Sequence, residues 1–277
     1  MKRRTCEPRK DWKASVEQAG MIWHTPYWNE TVYYELTEAD VATIKAASET
    51  LYRMLIEAGK FVISRELFRE FDIPEFIVPA VVKAWQEEPP ALNYGRLDLG
   101  FNGAEIKLLE FNCDTPTSLL EGSVVQWQWK EKQFPKLKQA NEIHEYLLEK
   151  WRDIVNYLPS RDIHIMAVRY ADGEDVITAT YMAELAREAG LRPKFIAPRD
   201  IGWDARQRAF VDTDSKPITT MYKLFYRSSG NCIRNIRCCW KRHSRRSPGL
   251  RSSNPHSGAR AAGSGSPTRQ NRLPIPR

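Results

Sequence analysis

Two ribbons of alternating character joined at Asn102-Gly103 constrain this chain more than any other feature. From Tyr94 to Leu119 it reads YGRLDLGFNGAEIKLLEFNCDTPTSL. Residues two apart in a strand share a face, so Arg96 and Asp98 project together, as do Glu110 and Asn112. The pattern predicts two antiparallel strands, around 94–101 and 105–112, with polar heads on one side. Turn geometry then becomes a condition. Asp98 and Glu110 share a face only if paired positions sum to an even number. A strict two-residue Asn-Gly loop would pair Phe101 with Ala104 and fail that test. A three-residue loop or a bulge is therefore expected, with Arg96 opposite Glu110. Hard oxygen ligands grouped near an arginine are what a magnesium–phosphate site requires. The same residues would equally form a cross-strand ion-pair ladder, with Asn112 and Asp114 capping turns and Thr115–Ser118 capping a helix.

Charge is divided unevenly along the chain. The 277 residues include 42 Lys and Arg against 35 Asp and Glu, a net of +7. Eleven Arg and one Lys follow Phe225, whereas the last acid is Asp214, so residues 1–225 hold 30 basic against 35 acidic groups. The body is thus mildly acidic, which excludes a generally basic nucleic-acid-binding domain. Five irregularly spaced cysteines make no disulfide framework. Cys113 is expected to be a small buried packing residue. No signal-peptide pattern opens the chain, and no run approaches the ~20 apolar residues of a membrane span. A reducing, cytoplasmic setting without a membrane partner is the expectation.

The N-terminal third reads as a helical layer. Residues 11–20 suggest a short helix near Asp11. Residues 21–35 are dense in aromatics and should close a core, with His24 structural. Thr37 is placed to cap a helix of about 38–59, with Asp40 three residues on and Gly59 as its stop. Ser64 is expected to open a second helix through Phe71, and Pro74 a third that ends near Gln86. After the two strands, a helix from about Thr117 should run through Trp129 towards Glu131, its first turn offering backbone N–H groups to the site. A further helix covers roughly 141–156. Strand Ile163–Val168, helix Val176–Ala189 stopped by Gly190, and strands Lys194–Ala197 and Ile218–Phe225 suggest a small parallel α/β unit. The fold class is mixed α+β: helical layer, antiparallel metal-bearing sheet, parallel unit.

Beyond Phe225 the composition becomes rich in Arg, Ser, Pro and Gly without apolar periodicity past Trp240. Three readings stand. The segment could be a disordered tail that engages RNA or another polyanion. It could be a metal knuckle of Cys232, Cys238, Cys239 and His243, although that spacing fits no zinc pattern well. It could be translation out of frame, which yields Arg, Ser, Pro and Gly with few acids.

The runs HTPYWNETVYYELT, GRLDL, KLLEFNCDTPTSLLE and VVQWQW make the segment from Trp12 to about Phe225 resemble the glutathionylspermidine synthase family, specifically its short bacterial members without an amidase domain. These are ATP-grasp-type carboxylate–amine ligases. The resemblance implies a partial pre-ATP-grasp-like domain over 11–225 and a separate tail over 226–277. It implies magnesium ligation by Asp98, Glu110 and Asn112. It places Arg96 at the transferred phosphate and the acyl carboxylate, as both catalytic and cofactor-binding residue. Thr115 and Thr117 match positions that contact the acid or peptide, and Glu174 and Thr178 fall on the amine side. The implied cofactors are Mg2+ and ATP, and the partners are a small acid or peptide and an amine. Family members continue past MYKLF with a Tyr-Pro-Trp-Glu type segment and nucleotide-gripping lysines, where this chain reads Tyr226-Arg227-Ser228-Ser229. An incomplete ATP-grasp-like fold, without ligase turnover as translated, is the expectation. The alternative is a non-catalytic binding protein working through its basic tail.

Overall fold

The computed structural model describes residues 1–22, 24–86, 94–167 and 173–224. The tail readings, and the ends of the expected strands at Val168 and Phe225, lie outside the described residues.

The chain begins with a short ribbon that the sequence pattern did not announce. Strand β1 (Lys2–Thr5) pairs antiparallel with β2 (Val32–Glu35). Between them lie helix α1 (Trp12–Gln18) and a single turn, α2 (His24–Tyr27). The loop back to β2 is held by a buried ion pair. Arg9 donates to both oxygens of Glu30, at 2.5 and 3.2 Å, and the Trp28 indole N–H donates to Glu30 at 2.6 Å. Burial of a charge is tolerated only with such pairing. His24 is structural as expected: it is buried, and its ring nitrogens meet Glu17 and Thr25 at 2.8 Å each.

Helix α3 (Glu38–Ser64) opens with the expected cap, Thr37 accepting from the Asp40 N–H while Asp40 accepts from the Thr37 N–H. It does not stop at Gly59. A Cβ there would lie 2.8 Å from the Trp85 ring, so the glycine serves close helix–helix approach in mid-helix. Nor does Ser64 open a helix. Its hydroxyl donates back to the Phe61 carbonyl, and turns follow to Pro74. A 3-10 turn (Glu75–Ile77) then leads into α4 (Val78–Gln86), the expected third helix.

Strands β3 (Arg96–Phe101) and β4 (Ile106–Asn112) form the central hairpin. The next helix starts at Leu119, two residues later than expected. It passes through a π-helical turn (Glu121–Val125) into α5 (Gln126–Gln133). Helix α6 (Ile143–Ile154) matches its expected range.

The parallel unit is present. Strands β6 (Arg192–Ile196), β5 (Asp162–Ala167) and β9 (Met221–Leu224) lie side by side in that order, all parallel, with α7 (Glu174–Glu188) as the crossover from β5 to β6. An extra ribbon, β7 (Gly202–Asp204) with β8 (Ala209–Val211), sits between β6 and β9 in sequence. Strand alternation divides β5. Ile163, Ile165 and Ala167 enter the main core with Trp151, Met182 and Leu185, whereas Met166 packs with Ile196 on the other face. Leu119, Leu120 and Val125 join the main core and tie the helix after the hairpin to the parallel unit. Among the described residues, no helix is long and apolar enough to cross a membrane.

Candidate functional site

The hairpin register decides which side chains meet. From the turn, Phe101 pairs with Ile106, Gly100 with Lys107 and Leu99 with Leu108. The register then slips, and Asp98 faces Glu110, Leu97 faces Phe111 and Arg96 faces Asn112. Leu109 is the extra residue of a β-bulge, and it is 74% exposed. The four-residue loop 102–105 alone would leave the parity odd, and the bulge corrects it. The loop is closed by Asn102, whose side chain accepts the N–H groups of Ala104 and Glu105 at 2.9 and 2.8 Å. One expectation changes: Arg96 lies opposite Asn112, not Glu110. Two carboxylates, Asp98 and Glu110, therefore confront each other directly.

Arg96 relieves that confrontation. Its Nε donates to Asp98 at 2.9 Å, and its Nη2 lies 3.8 Å from Glu110. Hydrogen bonding to Asp98 pushes the guanidinium pKa up further. All three groups remain partly open to solvent. Gly95, just before Arg96, is required by close approach. A Cβ there would sit 2.5 Å from the Phe111 ring, which lies across the strand end.

Asn112 continues the polar face into a turn. Its Oδ1 accepts the Thr115 N–H at 3.2 Å, and its Nδ2 is 3.5 Å from the Thr115 carbonyl. The turn is anchored to the parallel unit. The Tyr94 hydroxyl donates to the Pro116 carbonyl at 2.7 Å and meets the Tyr222 hydroxyl at 3.4 Å. Lys223 donates to Asp114 at 2.8 Å. Burial pushes both tyrosine pKa values up. These tyrosines were not singled out from sequence, because the two that meet lie 128 residues apart. Thr115 is buried and Thr117 half-buried in the turn, while Cys113 is exposed rather than buried as expected. Asn112 shapes this turn by accepting the Thr115 amide, and the Cys113 thiol lies at the surface, 3.7 Å from the Tyr94 carbonyl.

Glu174 opens α7, directly after Gly173 in left-handed conformation. Its charge acts on Arg96, on Tyr27 and on Glu121. Thr178, one turn behind it, is 2% exposed. The fold thus brings Arg96, Asp98, Glu110, Asn112 and Glu174 to one region, with Thr115 and Thr117 on its rim. It also brings in Glu121, which sequence reasoning passed over. The signal was there: an acid among the apolar residues of LLEGSVV.

A magnesium ion suits this donor set. The ion keeps several waters and takes only one or two carboxylates. Asp98 and Glu110 could supply those, and the Asn112 oxygen, which accepts the Thr115 N–H, has a second lone pair to offer. Among the described residues there is no cluster of three or more His, Cys, Asp or Glu side chains that would form a denser cage.

The family model described as glutathionylspermidine synthase preATP-grasp matches residues 3–226, four-fifths of this chain. The chain belongs to the glutathionylspermidine synthase family. It is 35% identical over 202 residues, 72% of its length, to a protein of Haemophilus influenzae provisionally named acid–amine ligase, of which it covers 51%. It is 25% identical over 198 residues to the bifunctional glutathionylspermidine synthetase/amidase of Escherichia coli, covering 70% of this chain and 31% of that one. It is 29% identical over 161 residues to the glutathionylspermidine synthase of Crithidia fasciculata, covering 53% and 22% respectively. The chain spans about half the length of the first of these relatives, and less of the others.

Proposed function

We propose that the hairpin face is the metal and acyl-phosphate wall of an ATP-dependent acid–amine ligase. The observation that carries this is the bulge-corrected register, which sets Arg96, Asp98, Glu110 and Asn112 on one face of a glutathionylspermidine synthase family member. A carboxylate is inert towards amines because its oxygen leaves poorly. Bound Mg2+ and ATP supply phosphoryl transfer, which converts that oxygen into a phosphate leaving group. In this reading Asp98, Glu110 and Asn112 hold the metal. Arg96 presents a planar donor fork to the phosphoryl oxygens and the acyl carboxylate. Thr115 and Thr117 contact the acid, and Glu174 and Thr178 lie on the amine side. The acid is a small peptide of the glutathione kind and the amine a polyamine of the spermidine kind, following the names of the relatives. The cytoplasm is the proposed setting.

Acetyl phosphate, the simplest acyl phosphate, tests the wall without requiring turnover. Titration calorimetry should show binding that needs Mg2+ and is lost in Glu110→Ala. Binding without Mg2+, or binding that survives Glu110→Ala, would refute the assignment.

A further inference from the structure

The end of α1, the π-helical turn with α5, and helices α6 and α7 enclose a cavity of about 700 Å3. Arg96, Asp98, Glu110, Asn112, Glu174 and Thr178 do not line it, so it is separate from the hairpin face. Its size falls within the range of small-molecule sites, about 300–1,000 Å3. Leu120, Val124, Ile177 and Leu185 give it apolar walls, and Trp127 adds a flat ring. Leu120 and Leu185 belong to the main core, and Val124 and Ile177 pack against it. The walls are therefore fixed by packing and the cavity is preformed.

One buried polar group interrupts the apolar lining. Tyr181 is 9% exposed. Burial, reinforced by Glu145 and Glu188, pushes its phenol up to about 12, so it stays neutral near pH 7. Its hydroxyl lies 2.9 Å from His144 Nδ1, and Glu188 lies 3.8 Å from His144 Nε2. A carboxylate beside Nε2 favours the proton on that nitrogen. Nδ1 then accepts, and the Tyr181 hydroxyl donates to it. Ser123 also adjoins the phenol, but its own proton goes to the Leu119 carbonyl at 2.6 Å. The phenol oxygen is left with a lone pair for an incoming donor.

Charge selects the ligand further. Glu145, Glu184 and Glu188 line the cavity against Arg187, and Glu184 holds that guanidinium at 2.5 Å. An anion would meet surplus negative charge. A cation would leave water for walls of Leu, Val and Ile, because Glu184 and Glu188 are exposed at the rim. A neutral molecule avoids both costs. We propose that this cavity binds a small neutral aromatic compound with one N–H or O–H donor, its ring among Leu120, Val124, Trp127 and Ile177 and its donor on the Tyr181 oxygen. Trp127 favours a flat ring, since aromatic pairs gain from stacked or edge-to-face contact beyond their buried area. The site does not depend on the ligase reading.

The test is calorimetric titration of three probes into the full chain: indole, 1-methylindole, which lacks the donor, and indole-3-acetate, which adds an anion. Indole should bind saturably at one site. 1-Methylindole should bind roughly fivefold more weakly, the value of one neutral hydrogen bond, and indole-3-acetate at least about tenfold more weakly. Tyr181→Phe should lower indole affinity to that of 1-methylindole while leaving 1-methylindole unchanged, which a general loosening of the fold would not do. Thr180→Trp, at an exposed position on the cavity lining, should block all three probes, with thermal melting confirming that it folds. No saturable indole binding by wild type, equal affinity for indole and 1-methylindole, or tighter binding of indole-3-acetate overturns the inference. So does a preference for indole that survives in Tyr181→Phe. A Mg2+ titration on the same samples separates the two readings: lost Mg2+ binding with retained indole binding refutes the metal wall and leaves the cavity assignment standing.

Discussion

Replacing Arg96 should separate the metal-binding and phosphate-binding roles proposed for the hairpin face. Arg96 is the cation that touches both Asp98 and Glu110, at 2.9 and 3.8 Å. In Arg96→Met the aliphatic stem remains and the charge goes. Asp98 and Glu110 then face each other across the strands unrelieved. All three side chains are at least a third exposed, so solvent screening limits the loss of fold stability to about 0.5–1 kcal/mol. For a domain of this size that is a fall of roughly 1–4 °C in Tm. Divalent-ion affinity should move the other way. Two unit charges about 4 Å apart interact by about 1 kcal/mol in water, hence about 2 kcal/mol between a guanidinium and a divalent ion. Screening at physiological salt reduces this to about 1 kcal/mol, roughly a fivefold gain in Mg2+ affinity. Acetyl phosphate binding should nevertheless be lost, because the donor fork has gone. Calorimetry with MgCl2 at low and high salt measures both, and the gain should shrink as salt rises. Unchanged or weaker Mg2+ binding in Arg96→Met would refute the placement of a metal beside Asp98 and Glu110.

Three further outcomes are expected. Gly95→Ala should destabilise the fold by about 1–3 kcal/mol and weaken Mg2+ binding, because its Cβ would collide with Phe111 at 2.5 Å; denaturant melts and MgCl2 titration check both. Glu30→Gln should cost about 3 kcal/mol by leaving Arg9 buried without its anion, read as a lower urea midpoint at unchanged slope. Asp40 has a carboxyl held down to about 2 from 3.8 by the Thr37 N–H. Its contribution is therefore complete above about pH 4 and disappears as pH falls towards about 2. The Tm difference between wild type and Asp40→Asn should be constant from about pH 4 to 6, where the N-terminal ammonium 3.0 Å from Asp40 stays charged, and close over that acid window.

The hairpin was legible in the sequence because its demand was geometric. Arg96, Asp98, Glu110 and Asn112 could share a face only if one residue was added somewhere, and the bulge at Leu109 is that residue. Its location was not legible, because Leu108 and Leu109 are chemically alike. Thr37 and Asp40 announced their cap through local chemistry. Gly59 misled because a helix stop and a close-approach site ask the same thing of a glycine, and only the position of Trp85 distinguishes them. The β1–β2 ribbon was hidden because its strands are four residues each, flanked by a long excursion, and leave no periodicity to read. Glu121 was missed for the opposite reason. It is buried although it is an acid, and its burial comes from packing that no local pattern records.

The bulge also offers an engineering handle. Without Leu109, β4 would read Ile-Lys-Leu-Glu-Phe-Asn, a strict alternation that still sets Glu110 across from Asp98 and Asn112 across from Arg96. A one-codon deletion would thus preserve every neighbour relation on the polar face while taking the kink and added coiling out of the ribbon. Such a variant distinguishes two requirements that substitutions confound: having the ligands on the correct side, and having them tilted at the correct angle.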